Sequence, residues 1–153
     1  MLLTTTLGEK VVSKGSAETL GSVDGVVIDA ARHLITALQV GKGRKAKVVP
    51  WDAISGVGTA AVIVERDDAL RDPDDEIEPR YTRGDVAVIG ALTLSDLGNS
   101  LGTIVDLEYD SDTGSITAIR TSQSNEISGD RLRAAGTHAW IFAAGDEALG
   151  SAL

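Results

Sequence analysis

The side chains that could do chemistry are few and scattered. The 153-residue chain has no cysteine and two histidines, His33 and His138. The absence of cysteine removes disulfides, thiolate nucleophiles and thiolate-ligated zinc together, and it is compatible with a reducing compartment. Acid–base catalysis would need a carboxylate or nucleophile fixed beside one histidine, and a metal pair would need the two to converge. The spacing argues for neither. His33 lies near a turn and His138 at the start of a strand, where ordinary surface or edge residues stand. No paired carboxylates suggest a general acid and base, so no catalytic residue, cofactor or metal is expected.

Two further groups invite a ligand. Asp106, Asp110 and Asp112 could suggest calcium, but Asp110-Ser-Asp112-Thr-Gly114 lacks the remaining ligands and the distal glutamate of an EF-hand loop. A hairpin turn satisfied by aspartate side chains is the better reading. Gly41-Lys-Gly-Arg-Lys-Ala-Lys47 is the one concentrated basic element. Its Lys42, Arg44, Lys45 and Lys47 could hold a phosphate or an acidic protein tail, or could simply be a solvated hairpin tip. It is not a P-loop, because no Gly-Lys-Ser/Thr run leads from a strand into a helix.

These residues are carried by a repeated element. Leu20 to Val40 reads LGSVDGVVIDAARHLITALQV, and about eighty residues on Leu101 to Thr121 reads LGTIVDLEYDSDTGSITAIRT. Leu20-Gly21 falls on Leu101-Gly102, Asp29 on Asp110, and Ile35-Thr36-Ala37 on Ile116-Thr117-Ala118, with no gap. A repeat of this kind is settled before any fold is assigned. In the second copy Val105, Leu107 and Tyr109 alternate with acidic residues, the period of a half-buried strand. Asp110 to Gly114 then turns, and Ile116 to Ile119 returns, so the unit is a β-hairpin. The first copy turns through Asp29-Ala-Ala-Arg-His33, which looks longer and is poorer in glycine. Gly21 and Gly102 read as bends, and Asp29 and Asp110 as turn residues.

Around the hairpins, Leu7 to Val12 reads as a strand, and a single helical turn is expected between Asp52 and Val57. Each copy ends in a strand, Ala60 to Val64 and His138 to Phe142. The copies diverge between the hairpin and that last strand, from Gly41 and from Ser122 onward. Trp51 follows Pro50 at a bend, where its ring is expected to plug one end of a barrel otherwise lacking large side chains. Trp140 alternates with Phe142 and is expected in the core. Aromatics make up only 3% of the chain, so the cores must be built from Val, Ile, Leu and Ala.

The expected organisation is a first module over residues 1–66, a linker over 67–85 and a second module over 86–153 with a fraying tail. The linker, with two prolines and a dense acidic run, reads as a solvated tether. Formal charge is −9 overall. The first module carries eight Lys/Arg against six Asp/Glu, including all five lysines, while the second carries three against nine. The imbalance allows the first copy to face an acidic surface, which could be its own second half. An acidic chain is a poor neutraliser of phosphates, so direct nucleic-acid binding is disfavoured. MLLTTTLGEKVV has no basic n-region and no sustained apolar run, and no window reaches the length of a membrane span, so a cytoplasmic protein is expected.

The residues now assembled resemble the PRC-barrel family. In the first copy the resemblance rests on Gly8-Glu-Lys-Val, Leu20-Gly21-Ser-Val with the Asp29 hairpin, Val48-Val-Pro50-Trp51, Ile54, and Ala61-Val-Ile-Val64. In the second it rests on Ile89-Gly-Ala-Leu, Leu101-Gly-Thr-Ile, Asp110, Ile116, Ile127, Leu132 and Trp140-Ile-Phe142, without the Val-Val-Pro-Trp signature. The resemblance implies an all-β protein of two small, strongly bent barrels. It also implies binding and scaffolding company: a photosynthetic reaction-centre subunit domain, ribosome-maturation factors, and proteins linked to cell division. The expected function is therefore a non-enzymatic protein-binding or scaffolding module. The alternatives are a ribosome-associated factor that binds a ribosomal protein, and a small-molecule or metal sensor using the cleft between modules. Thin cores and free sheet edges further predict an intramolecular pseudo-dimer or a homodimer.

Overall fold

The internal repeat is realised as two six-stranded sheets of the same topology in a computed structural model, which describes residues 1–144. The remainder of the expected fraying tail lies outside the described residues. The first copy comprises β1 (Lys10–Ser13), β2 (Thr19–Asp29), β3 (Leu34–Val40), β4 (Lys47–Pro50), β5 (Ile54–Val57) and β6 (Ala61–Val64). The second comprises β7 (Leu92–Ser95), β8 (Ser100–Tyr109), β9 (Ile116–Thr121), β10 (Glu126–Ser128), β11 (Leu132–Ala135) and β12 (Trp140–Phe142). The strand orders are β4-β3-β2-β1-β6-β5 and β10-β9-β8-β7-β12-β11. The fold is all-β apart from two short helices, α1 (Leu3–Thr6) and α2 (Glu78–Thr82), and short 3₁₀ turns. The sheets are bent but not closed, so each is an open barrel-like module with edges at its first and last strands.

The bend has the same cause in both copies. The ladder between β2 and β3 slips between Val23 and Gly25, and that between β8 and β9 slips between Ile104 and Asp106. A bulge adds a residue on one side of a ladder and sharpens its twist. The front of β2 can then pair with β1 while its remainder pairs with β3. Gly21 and Gly102 serve this bend. A Cβ on Gly21, at φ +152°, would meet Val40 Cγ1 at 2.5 Å, and one on Gly102, at φ +99°, would meet Ser122 Oγ at 2.9 Å.

The core is aliphatic, as the composition requires: Val11, Val23, Val26, Ile28, Ile35 and Leu38 in the first copy, and Ile104, Leu107, Ile119 and Leu132 in the second. Each such side chain contributes roughly 1.5–3 kcal/mol on burial. The second copy adds Trp140, Phe142 and Tyr109. Trp140 is fully buried, and its indole N–H donates to the Ala87 carbonyl at 2.8 Å.

Several local expectations are corrected. The N-terminal strand begins at Lys10, three residues later than expected, and is preceded by α1 over Leu3–Thr6. The closing strands begin at Ala61 and Trp140, one and two residues later than expected. The helical turn shortens to a 3₁₀ turn at Trp51–Ala53, because Ile54 already opens β5. The two hairpin turns have the same length. The Asp29 carboxylate accepts the Arg32 amide and the Asp110 carboxylate accepts the Thr113 amide, each three residues on. His33 takes the left-handed conformation, φ +56°, that Gly114 takes at +79° in the other copy.

Residues 67–85 are not a solvated tether. Arg71 pairs with the outer edge of β4, exchanging both amide–carbonyl bonds with Val48 at 2.9 Å. Its guanidinium then grips the buried Glu78 carboxylate through two bonds of 2.7 and 2.8 Å. Asp75 accepts the amides of Ile77 and Glu78 at the start of α2, which presents Tyr81 and Thr82 to the interior. Burial pushes the Tyr81 phenol up to about 12, so it stays protonated. The segment is a strap across the first module. No helix among the described residues is long and apolar enough to cross a membrane.

Candidate interaction surfaces

The surfaces left for a partner are set by how the two copies meet. The hairpin tips of β2–β3 and β8–β9 pair with each other in an antiparallel bridge between Leu34 and Ser115. Ile35 donates to the Gly114 carbonyl and Ile116 to the His33 carbonyl, both at 2.8 Å. The α1 helix of the first copy also lies on β8 of the second, and α2 of the strap lies on β2. Met1 and Tyr109 exchange backbone bonds of 3.0 and 2.9 Å. The Thr4 amide and hydroxyl donate to the Asp106 carboxylate at 3.1 and 2.7 Å. The Thr6 hydroxyl and the Tyr109 phenol lie 2.5 Å apart. Burial raises the Tyr109 phenol above its ordinary value, and the Thr6 hydrogen bond opposes the rise.

Trp51 and His33 belong to this seam. Trp51 does not plug a barrel end. Its ring meets Tyr109 edge-on at 5.9 Å between centroids, and its indole N–H points at the Asp112 carbonyl at 3.4 Å. Pro50 ends β4 and turns the chain so that Trp51 reaches across. His33 is not an ordinary surface residue, because its Nε2 lies 2.9 Å from the Leu132 carbonyl in the other copy. Sequence reasoning missed both roles, since each partner is far away in the chain. The charge complementarity expected between the copies is not what joins them. The four ion pairs found among the described residues all lie within residues 24–78, and the seam is made of backbone bonds, hydroxyls and rings.

Grooves of about 340 and 190 Å³ flank Trp51 on the seam. No group of three or more His, Asp or Glu among the described residues is placed to hold a metal. Asp110 and Asp112 do not converge with Asp106. Asp110 accepts the Asp112 amide within its turn at 2.8 Å, while Asp106 is engaged by Thr4.

The basic loop divides into spent and free charges. Lys42 lies 3.9 Å from Asp24, whose other oxygen accepts the Gly41 amide, and Lys47 pairs with Asp72 of the strap. Arg44 and Lys45 form the exposed 3₁₀ turn of the loop without an ion pair among the described residues.

One carboxylate is out of place. Both oxygens of Glu9 are shielded from water and lack a hydrogen-bond partner, and burial raises its pKa above the ordinary carboxylate range. The second copy has Ala91 at the same point, since Ile104 donates to Ala91 as Val23 donates to Glu9.

The two outer edges also differ. In the first copy Val48 is covered by Arg71. Its counterpart by register is Glu126, because Val48 pairs with Gln39 and Glu126 with Arg120. Thr121 takes the Asn125 carbonyl at 3.0 Å. By the alternation of an antiparallel ladder, the N–H and C=O of Glu126 therefore point away from β9. Among the described residues none bridges to them.

The fold defines a duplicated, bent six-stranded module with a closed seam and unequal outer edges. Residues 1–72 match the family model of the PRC-barrel domain. The second half repeats it strand for strand. A comparison with curated proteins gives no match.

Proposed function

We infer that the protein is a cytoplasmic, non-enzymatic binding module whose second copy receives an extended segment of a partner protein on the β10 edge. The observation that carries this reading is the difference between Val48, whose outward backbone groups are paired by Arg71, and Glu126, whose equivalent groups meet no described residue. An unpaired edge offers main-chain hydrogen bonds for strand addition. The protein-binding habit implied by the PRC-barrel resemblance supports the same reading. The hairpin face through which two modules could pair is already used within the chain, which favours the pseudo-dimer over a homodimer.

Affinity capture from native lysate tests this with wild type, Glu126→Pro and Lys45→Glu. Proline at 126 removes an outward N–H without removing a ladder bond. Loss of the captured protein with Glu126→Pro and its retention with Lys45→Glu is the expected result. Retention with both overturns the edge. Co-sedimentation with ribosomal subunits at two salt concentrations decides whether the partner is a basic ribosomal protein. The seam grooves beside Trp51 are the places left to the sensor alternative, and a ligand panel read by thermal shift tests them.

A further inference from the structure

The strap and the basic loop of the first copy enclose a cleft of about 560 Å³, lined by Gly43, Arg44, Ala46, Pro73, Pro79, Thr82 and Arg83. Its two cations come from different segments, Arg44 from the 3₁₀ turn after β3 and Arg83 from the end of α2. Both are exposed, and among the described residues neither guanidinium has a carboxylate within 4.0 Å.

This is unexpected in a strap with eight acidic residues against three basic ones. Four carboxylates of the strap are engaged elsewhere: Asp72 by Lys47, Glu78 by Arg71, and Asp74 and Asp75 by backbone amides of the strap. Pro73, Pro79 and Ala46 supply apolar wall between the charges, and two of them cannot donate a backbone hydrogen bond.

We propose that this cleft is a binding site for an acidic peptide segment, with Arg44 and Arg83 each taking a carboxylate and the Pro73–Pro79 wall taking an apolar side chain between them. Arginine suits planar, two-point carboxylate recognition. The cleft, at about 560 Å³, is much larger than a single inorganic anion. A polyanion such as RNA would face the whole chain's net charge of −9, whereas a short peptide meets chiefly the local pair. The site lies on the opposite copy from the β10 edge and stands or falls without it.

The test is fluorescence anisotropy on the full chain with a labelled hexapeptide of alternating glutamate and leucine. A glutamine–leucine hexapeptide, inorganic phosphate and a single-stranded oligonucleotide serve as competing probes. Saturable binding of the acidic peptide is expected, weakened about tenfold or more by Arg44→Ala with Arg83→Ala. The thermal midpoint should be unchanged, because both side chains are exposed. The proposal is overturned by no saturation below millimolar peptide, by equal binding of the glutamine peptide, by tighter binding of phosphate or oligonucleotide, or by an unaffected double variant. Since Glu126→Pro leaves this cleft intact, failure here and failure of the edge are read separately.

Discussion

Ile35 and Ile116 hold the same position in the two copies, and each donates its amide across to the other copy, to the carbonyl of Gly114 and of His33, at 2.8 Å in both directions. A contact in which equivalent residues exchange equivalent bonds is the signature of a two-fold axis. That axis passes between Leu34 and Ser115, the equivalent residues it exchanges. The chain is thus a dimer of modules made covalent. The side chains around the axis are not equivalent, however. Trp51 opens one 3₁₀ turn and faces Gly114, whereas Gly129 opens the other and His33 stands where Gly114 does. Trp51 thus meets a residue without a side chain, where the first copy's own equivalent is His33. Pairing two first copies would set tryptophan against histidine, so the divergence favours the intramolecular partner.

Gly114 sits tightly against the first copy. A Cβ there would lie 2.8 Å from the Ile35 carbonyl and 3.1 Å from the Trp51 ring, at φ +79°. Gly98 has a similar φ of +88° and nothing within 4 Å. Gly98→Ala should cost about 1 kcal/mol from backbone strain alone, and Gly114→Ala about 2–3 kcal/mol. Urea unfolding of the two variants measures the difference, and equal costs would mean the tips do not meet as described.

Trp51 should matter through the other copy. Trp51→Ala removes its edge-on contact with Tyr109 and should destabilise the protein by roughly 2–3 kcal/mol. The Trp51→Ala and Tyr109→Phe substitutions should be close to additive, because the phenol bonds Thr6 while the ring remains. Trp51→Ala and Tyr109→Ala should couple, and a double-mutant cycle reads the difference.

Arg71 holds the strap at two places. Arg71→Ala leaves the Glu78 carboxylate, whose side chain is 9% exposed, without its guanidinium, while the arginine itself is 43% exposed. Solvent screening keeps the expected loss at about 1–2 kcal/mol. The Val48 amide, which donates to the Arg71 carbonyl, should also exchange with deuterium faster as the strap loosens. Unchanged exchange at Val48 would show that the side-chain grip does not hold the strap to β4.

Glu9 gives a pH dependence of defined sign. Its folded pKa is raised above 4.5 by burial, so its contribution is most favourable below the unfolded value and is lost as pH rises through the folded one. Glu9→Ala, which copies Ala91, should therefore raise stability at neutral pH by about 1 kcal/mol, the cost of a shielded group without a partner. The gain should shrink as pH falls toward 4. Thermal melts from pH 4 to 8 measure it, and a gain that grows in acid would contradict the assignment.

The hairpins were legible because their identities report local needs: Gly21 and Gly102 at a bend, Asp29 and Asp110 as turn caps, Ile35 and Ile116 in the ladder. The equal turn length was hidden because His33 occupies a left-handed position normally marked by glycine. The strap was hidden because its composition is that of a solvated segment, while its order comes from non-local pairs, Arg71 with Val48 and Arg71 with Glu78. The seam roles of Trp51 and His33 could not be read from spacing, since they depend on the angle at which two copies meet. Charge counting along the chain does not show that Asp24 and Asp72 reach Lys42 and Lys47 from other segments, while Arg44 and Lys45 have no ion pair among the described residues.

The bonds about the Leu34–Ser115 pair should make the two copies tumble as one rigid body, which backbone ¹⁵N relaxation of the full chain measures. One rotational correlation time, common to β1–β6 and β7–β12 and appropriate to a particle of 15.9 kDa, is the predicted result. Two distinct, shorter times for the two copies would contradict it.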